Sequence, residues 1–214
     1  MTWTLDHLDV LFSVSLDHLW LALIPVVAGL LISLPLGWMA SRWRPAKSIL
    51  VPTAGMLYTI PSLALFVLMP LILGTRILDP LNVIAALTIY TVALLVRSVA
   101  DALAAVPPAV TAAATAMGYR PLGRFFAVEL PLAVPVLLAG VRVAAVSNIS
   151  LVSVGALIGV GGLGQFFTEG YQRGNPAEII AAIIAIMVLA LLVEIVLVFT
   201  GRMLTPWTRA GGAR

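Results

Sequence analysis

The residues that could do chemistry in this chain are few, and their spacing argues against most enzymes. The two histidines, His7 and His18, sit in a repeated Leu-Asp-His-Leu at 5–8 and 16–19. Their eleven-residue offset puts both on one helix face, but about 16 Å apart at 1.5 Å per residue. They cannot grip one metal ion from a single helix, so no metal site is expected. An amphipathic helix entering at the membrane interface accounts for them better. No serine–histidine or paired-aspartate set falls within the apolar runs, which argues against the rival reading of an intramembrane enzyme. A phosphate-cradling loop needs Gly-Lys followed by Ser or Thr. The single lysine, Lys47, follows Ala46, so no catalytic residue is assigned.

Four charged residues fall inside apolar runs: Arg97, Asp101, Arg142 and Glu194. A charge near the bilayer centre costs at least roughly 2.5–3.5 kcal/mol, so each needs a partner or water. Arg97 and Asp101 are four apart and suit an intrahelical pair. Glu194 lies about six residues from the inner end of its run, where snorkelling or an arginine partner would satisfy it. Arg142 lies roughly ten residues, or about 15 Å, into its run. It either braces Glu194 or faces a translocation path.

Composition sets the elements that must hold these charges. Of 214 residues, 62% are hydrophobic and 10% charged, against about 25% charged in a soluble domain. Such a chain cannot cover a water-facing surface. It reads as an all-α integral membrane protein forming one domain, 1–214, without cysteine. About 20 apolar residues span a bilayer as a helix. Five runs qualify: roughly 19–41, 49–73, 82–105, 132–158 and 178–200. Prolines within them (Pro25, Pro35, Pro61, Pro70, Pro135) are tolerated where neighbouring helices satisfy the freed carbonyls. The fourth run exceeds the needed length and is expected to be tilted, or broken near Gly155 or Gly159. The N-terminus lacks a basic leader and carries Asp6, Asp9 and Asp17, so no cleaved signal is expected.

The charges cluster at segment ends, which points to membrane orientation and lipid, with no nucleic-acid partner. Alternating spans put Arg42, Arg44, Lys47, Arg120, Arg124, Arg202, Arg209 and Arg214 on one side. The positive-inside rule makes that side cytoplasmic, with the N-terminus outside and the C-terminus inside. Residues 107–131 then form a cytoplasmic connection. Pro107 and Pro108 open a helix, alanines continue it, and Gly118 permits a C-cap geometry. A second helix runs from Leu122 until Pro131 opens the next span.

This segment resembles the coupling-loop signature of ABC importer permeases: Glu-Ala-Ala, three residues, Gly, nine residues, Ile-x-Leu-Pro. Ala113, Ala114, Gly118, Leu130 and Pro131 match at that spacing; Val128 replaces Ile, and Ala112 replaces the signature Glu. "TIPSLALF" (59–66), "ELPLAVPVLLAGVRVA" (129–144), "GALIGVGGLGQFF" (155–167) and "LTPWTR" (204–209) are similar to permeases for glycine betaine, choline, carnitine or proline betaine. Methionine-importer permeases are the related alternative. The resemblance implies a multi-pass protein of a bacterial-type cytoplasmic membrane, paired with a second copy or paralogue. It implies an ABC ATPase subunit that holds ATP and magnesium, no cofactor in this chain, and alternating access driven by ATPase closure. Residues 1–18, about 74–81 and about 159–177 are too short for a solute-binding domain, so an extracytoplasmic binding protein is expected. No substrate-binding residue is assigned. Gly161, Gly162 and Gly164 are expected to permit a tight re-entrant or outer-gate backbone.

Overall fold

The computed structural model describes residues 7–207, and these form helices and turns without a strand. The elements are α1 (Leu8–Arg42), α2 (Arg44–Tyr58), α3 (Ser62–Leu73), α4 (Pro80–Ala104), α5 (Pro108–Ala116), α6 (Pro121–Arg124), α7 (Leu130–Gly155), α8 (Gln165–Gln172) and α9 (Pro176–Leu204). A π-helical turn, Phe125–Glu129, joins α6 to α7, and a 3-10 turn, Ala156–Ile158, follows α7. Four stretches are long and apolar enough to cross a membrane: Leu8–Arg42, Pro80–Ala104, Pro121–Ile158 and Pro176–Leu204. The α2–α3 pair qualifies only as one bent unit, turning by 105°. Asp6, used above against a cleaved signal, and Arg209 and Arg214, used for orientation, lie outside the described residues, as does the start of the first Leu-Asp-His-Leu.

Small residues set the helix directions, because each lets a neighbouring helix approach closely. Gly29 of α1 packs on Thr91 of α4, and Gly37 packs one turn-pair further along on Val99. Both contacts advance together, so α1 and α4 run parallel. Against α4, α7 runs the other way, with Gly155 on Val83 and Gly140 on Ser98. Helix α9 is antiparallel to α7, pairing Glu194 with Arg142 and Gly201 with Leu138. The main core lies where α1, α4 and α7 meet, around Leu87, Leu95, Ile149 and Val152. Buried Asn148 ties that junction, donating to the Ala22 carbonyl at 3.3 Å and to Thr91 Oγ1 at 3.0 Å.

Three sequence expectations need correcting. The first span does not follow an interfacial helix; α1 is continuous from Leu8, and His18 is fully buried within it. Both of its ring nitrogens find partners in the bundle, so the helix has no reason to break there. The second run, 49–73, is not one helix. Pro61 lacks the N–H that would continue the ladder, so the Leu57 carbonyl accepts from the Ile60 N–H instead at 3.3 Å, while the Ile60 carbonyl accepts a hydrogen bond from Tyr90 Oη. The fourth span does not start at Pro131, because α6 passes through the π turn directly into α7. There the Leu130 N–H reaches the Phe125 carbonyl, five residues back. That widened turn takes up the register change just before Pro131. At its far end the span does break as expected: α7 stops at Gly155, and Gly159 adopts φ 79°.

Candidate functional site

The α4–α7 connection is a helix, a glycine cap and a second helix. Helix α5 closes with the Gly118 N–H on the Thr115 carbonyl (3.0 Å) and the Tyr119 N–H on the Ala114 carbonyl (3.2 Å). This double bond pair is the Schellman closure, which requires a left-handed residue between them; Gly118 supplies it at φ 87°. The space around Gly118 is open, so its constraint comes from backbone shape and not from crowding. Of the residues matching the signature, Ala112 and Ala113 are exposed and Ala114 is buried against the bundle. Val128, Leu130 and Pro131 are half-buried. Met117, Tyr119, Leu122 and Phe126 stand out from the connection as exposed apolar side chains.

Buried Glu129, which the sequence reading did not single out, holds this connection to the bundle. Its Oε1 accepts from Arg124 Nε at 2.6 Å and lies 3.8 Å from Arg42 Nη1 at the end of α1. Arg124 also donates from Nη1 to Thr115 Oγ1 at 2.6 Å. One carboxylate thus links α5, through Arg124 and Thr115, to α1 and to the start of α7. Trp38 backs the cluster, with its ring 5.7 Å from the Phe125 ring and the Arg42 guanidinium 5.7 Å from its own ring centroid. The only sequence signal was the Arg124–Glu129 spacing of five. An α-helix does not align that spacing, whereas a π turn does.

The charges within the spans find partners. Arg97 Nε lies 3.6 Å from Asp101 Oδ2, an exposed pair on one face of α4. Arg142 and Glu194 join α7 to α9: Nε donates to Glu194 Oε1 at 2.7 Å, and Nη2 donates to the same oxygen. With Gly140 beside Ser98, the antiparallel register places Arg142 level with Val96 and Arg97. The spans therefore carry their charges in one layer, about two helical turns from the α4 C-terminus.

At the opposite end of α7 the chain folds back through Gly161–Gly164. Gly164 lies so close to the Ser153 backbone that no side chain fits. His18 pins this turn: the Leu163 N–H donates to Nδ1 at 3.1 Å, so Nε2 carries the proton donated to the Ile149 carbonyl at 2.8 Å. Gly162, at φ 84°, and Gly164 make this turn tight, whereas Gly161 meets no neighbour. Arg173 bridges Glu169 of α8 (3.1 Å) and buried Glu178 of α9 (3.4 Å). Among the described residues no group of three His, Cys, Asp or Glu could hold a metal ion. Tyr58 and Tyr90 meet edge to face at 5.6 Å beside the α2–α3 bend, while Phe66 is fully buried in the core.

Comparison with known proteins now has a geometry to attach to. Residues 29–210 match the family described as binding-protein-dependent transport system inner membrane component. The osmoprotectant import permease protein OsmW of Salmonella typhimurium is 34% identical over 94% of this chain and 95% of its own length. The choline transport system permease protein OpuBB of Bacillus subtilis is 30% identical, over 89% and 86% respectively. Helicobacter pylori EgtU, an ergothioneine transport permease and binding protein, is 37% identical over 70% of this chain, which spans 26% of that longer protein. Among solved structures, an inward-facing form of the MetNI methionine ABC transporter superposes with a TM-score of 0.75. The identity is 25%, and the match covers 94% of this chain and 97% of the other.

Proposed function

The chain belongs to the family of binding-protein-dependent transport system inner membrane components, and on that premise we propose which solute it passes, how it sits in the membrane and what drives it. It is a multi-pass permease subunit of an ABC importer. Its cargo is a small osmoprotectant such as glycine betaine, choline, carnitine or proline betaine, a reading supported by the likeness to the osmoprotectant permease OsmW and the choline permease OpuBB. Binding, orientation and coupling are divided among subunits: an outer binding protein delivers the solute, and a second permease copy or paralogue completes the path. A partner ATPase, holding ATP and magnesium, supplies the work.

The helix directions support a reading with five crossings. Since α1 and α4 run parallel, the bent α2–α3 excursion between them carries the chain back across once. Arg42, Arg44, Lys47, Arg120, Arg124 and Arg202 then share one side, which the positive-inside rule makes cytoplasmic. That places the N-terminus outside and the α5–α6 connection in reach of the ATPase. The apolar side chains of Met117, Tyr119, Leu122 and Phe126 suit a cleft on that partner.

Glu129 carries the coupling reading, because it is the contact through which a push on α5 reaches both α1 and α7. The test uses the complex reconstituted with its ATPase and binding protein, comparing wild type with E129Q. Wild type is expected to take up labelled glycine betaine, choline or carnitine in preference to methionine. In E129Q, basal ATP hydrolysis persists while its stimulation by loaded binding protein falls several-fold. Full stimulation and uptake in E129Q would remove Glu129 from the coupling route.

A further inference from the structure

Arg142 and Glu194 sit in a groove whose chemistry goes beyond bracing two helices. The open groove on the surface between α7 and α9 has a volume of about 480 Å³ and is lined by Ala139, Val143, Val146 and Ser147 beside the ion pair. That lies within the roughly 300–1,000 Å³ typical of small-molecule sites. The pair is not sunk in protein: the Arg142 side chain is 42% exposed and that of Glu194 28%. Charges held open at membrane depth face water or a solute and not hydrocarbon.

The pairing geometry is also incomplete. Guanidinium and carboxylate ordinarily meet fork to fork, using two nitrogens and two oxygens. Here Nε and Nη2 of Arg142 both address Oε1 of Glu194. Arg142 Nη1 and Glu194 Oε2 make no hydrogen bond of their own among the described residues, which leaves one strong donor and one charged acceptor at the groove. We infer that this groove is a transit site for a small zwitterion, whose carboxylate takes Arg142 Nη1 while its cationic nitrogen lies against Glu194 Oε2. The inference rests on the proposed permease function and narrows its cargo.

Charge balance sets the preference. Arg142 and Glu194 sum to zero, so a bound zwitterion leaves the groove neutral. A simple cation such as choline would leave one uncompensated charge at a depth where such a charge is costly. The small side chains of Ala139 and Ser147 leave room for a compact body such as a trimethylammonium group. Bulkier residues at either position would narrow the groove beside the pair.

Equilibrium binding to the purified full complex, without binding protein or ATP, tests this directly. Radiolabelled glycine betaine should bind saturably within the millimolar range, with unlabelled choline competing about tenfold more weakly. R142Q should abolish that binding, and R142K, which keeps the charge with fewer donors, should weaken it. Melting in detergent is read on the same samples, so a variant that loses binding only because it unfolds is recognised and R142K decides. Absence of saturable binding in the wild type, equal competition by choline, or unchanged binding in a folded R142Q would each overturn the inference. Uptake by the wild-type complex is scored separately: its failure would sink the permease reading, whatever the binding result.

Discussion

Gly118 shows how one residue can matter without touching anything. A side chain there meets no neighbour, yet φ 87° lies where L-residues pay roughly 1–2 kcal/mol. Asparagine tolerates that region far better than a β-branched residue. G118N should therefore keep solute-stimulated ATP hydrolysis near wild type, while G118V lowers it several-fold. Equal behaviour of the two variants in a reconstituted ATPase assay would mean that the cap shape is irrelevant. The sequence made Gly118 legible because glycine after an alanine-rich helix has one common use. Glu129 was not legible, since its partner at spacing five aligns only if the intervening turn is π-helical. Ala112 stands exposed on α5, and the Glu129 cluster forms without it.

Among the elements, apolar runs located the helices well but could not show how they bend or join. Residues 49–73 carry no charged side chain, so the 105° turn at Pro61 leaves no break that an averaged profile would show. Proline signals a missing N–H, and whether the helix kinks, stops or passes through a wider turn depends on what donates to the carbonyls left open. At Pro61 the Ile60 N–H and a tyrosine hydroxyl do so; at Pro131 the preceding π turn spares the need. The outer glycine turn gives a sharper contrast. G164A would drive a methyl group into the Ser153 backbone, which cannot move aside as a flexible side chain would. A loss of about 1–3 kcal/mol is expected, read as a lower melting temperature in detergent. G161A should melt like wild type, because nothing lies near that position.

At the scale of the whole molecule, five crossings and the stated orientation can be checked with thiols, since the chain has no cysteine of its own. A113C lies on the exposed face of α5, and Y171C replaces a side chain that is 83% exposed after α7. A membrane-impermeant maleimide should label Y171C on intact cells and A113C only after the membrane is opened. The reverse pattern would invert the protein; labelling of both from outside would remove a crossing. The parallel α1–α4 pair also has a consequence for how the protein is made. Helix α1 leaves the ribosome well before α7, carrying the His18 imidazole and the Ser33 hydroxyl into lipid. The groups that satisfy His18, the Ile149 carbonyl and the Leu163 N–H, are synthesised more than a hundred residues later. Until α7 arrives, the first helix is a polar guest without a host, so membrane insertion must precede bundle closure. The Gly161–Gly164 turn is then the clasp that closes over that imidazole.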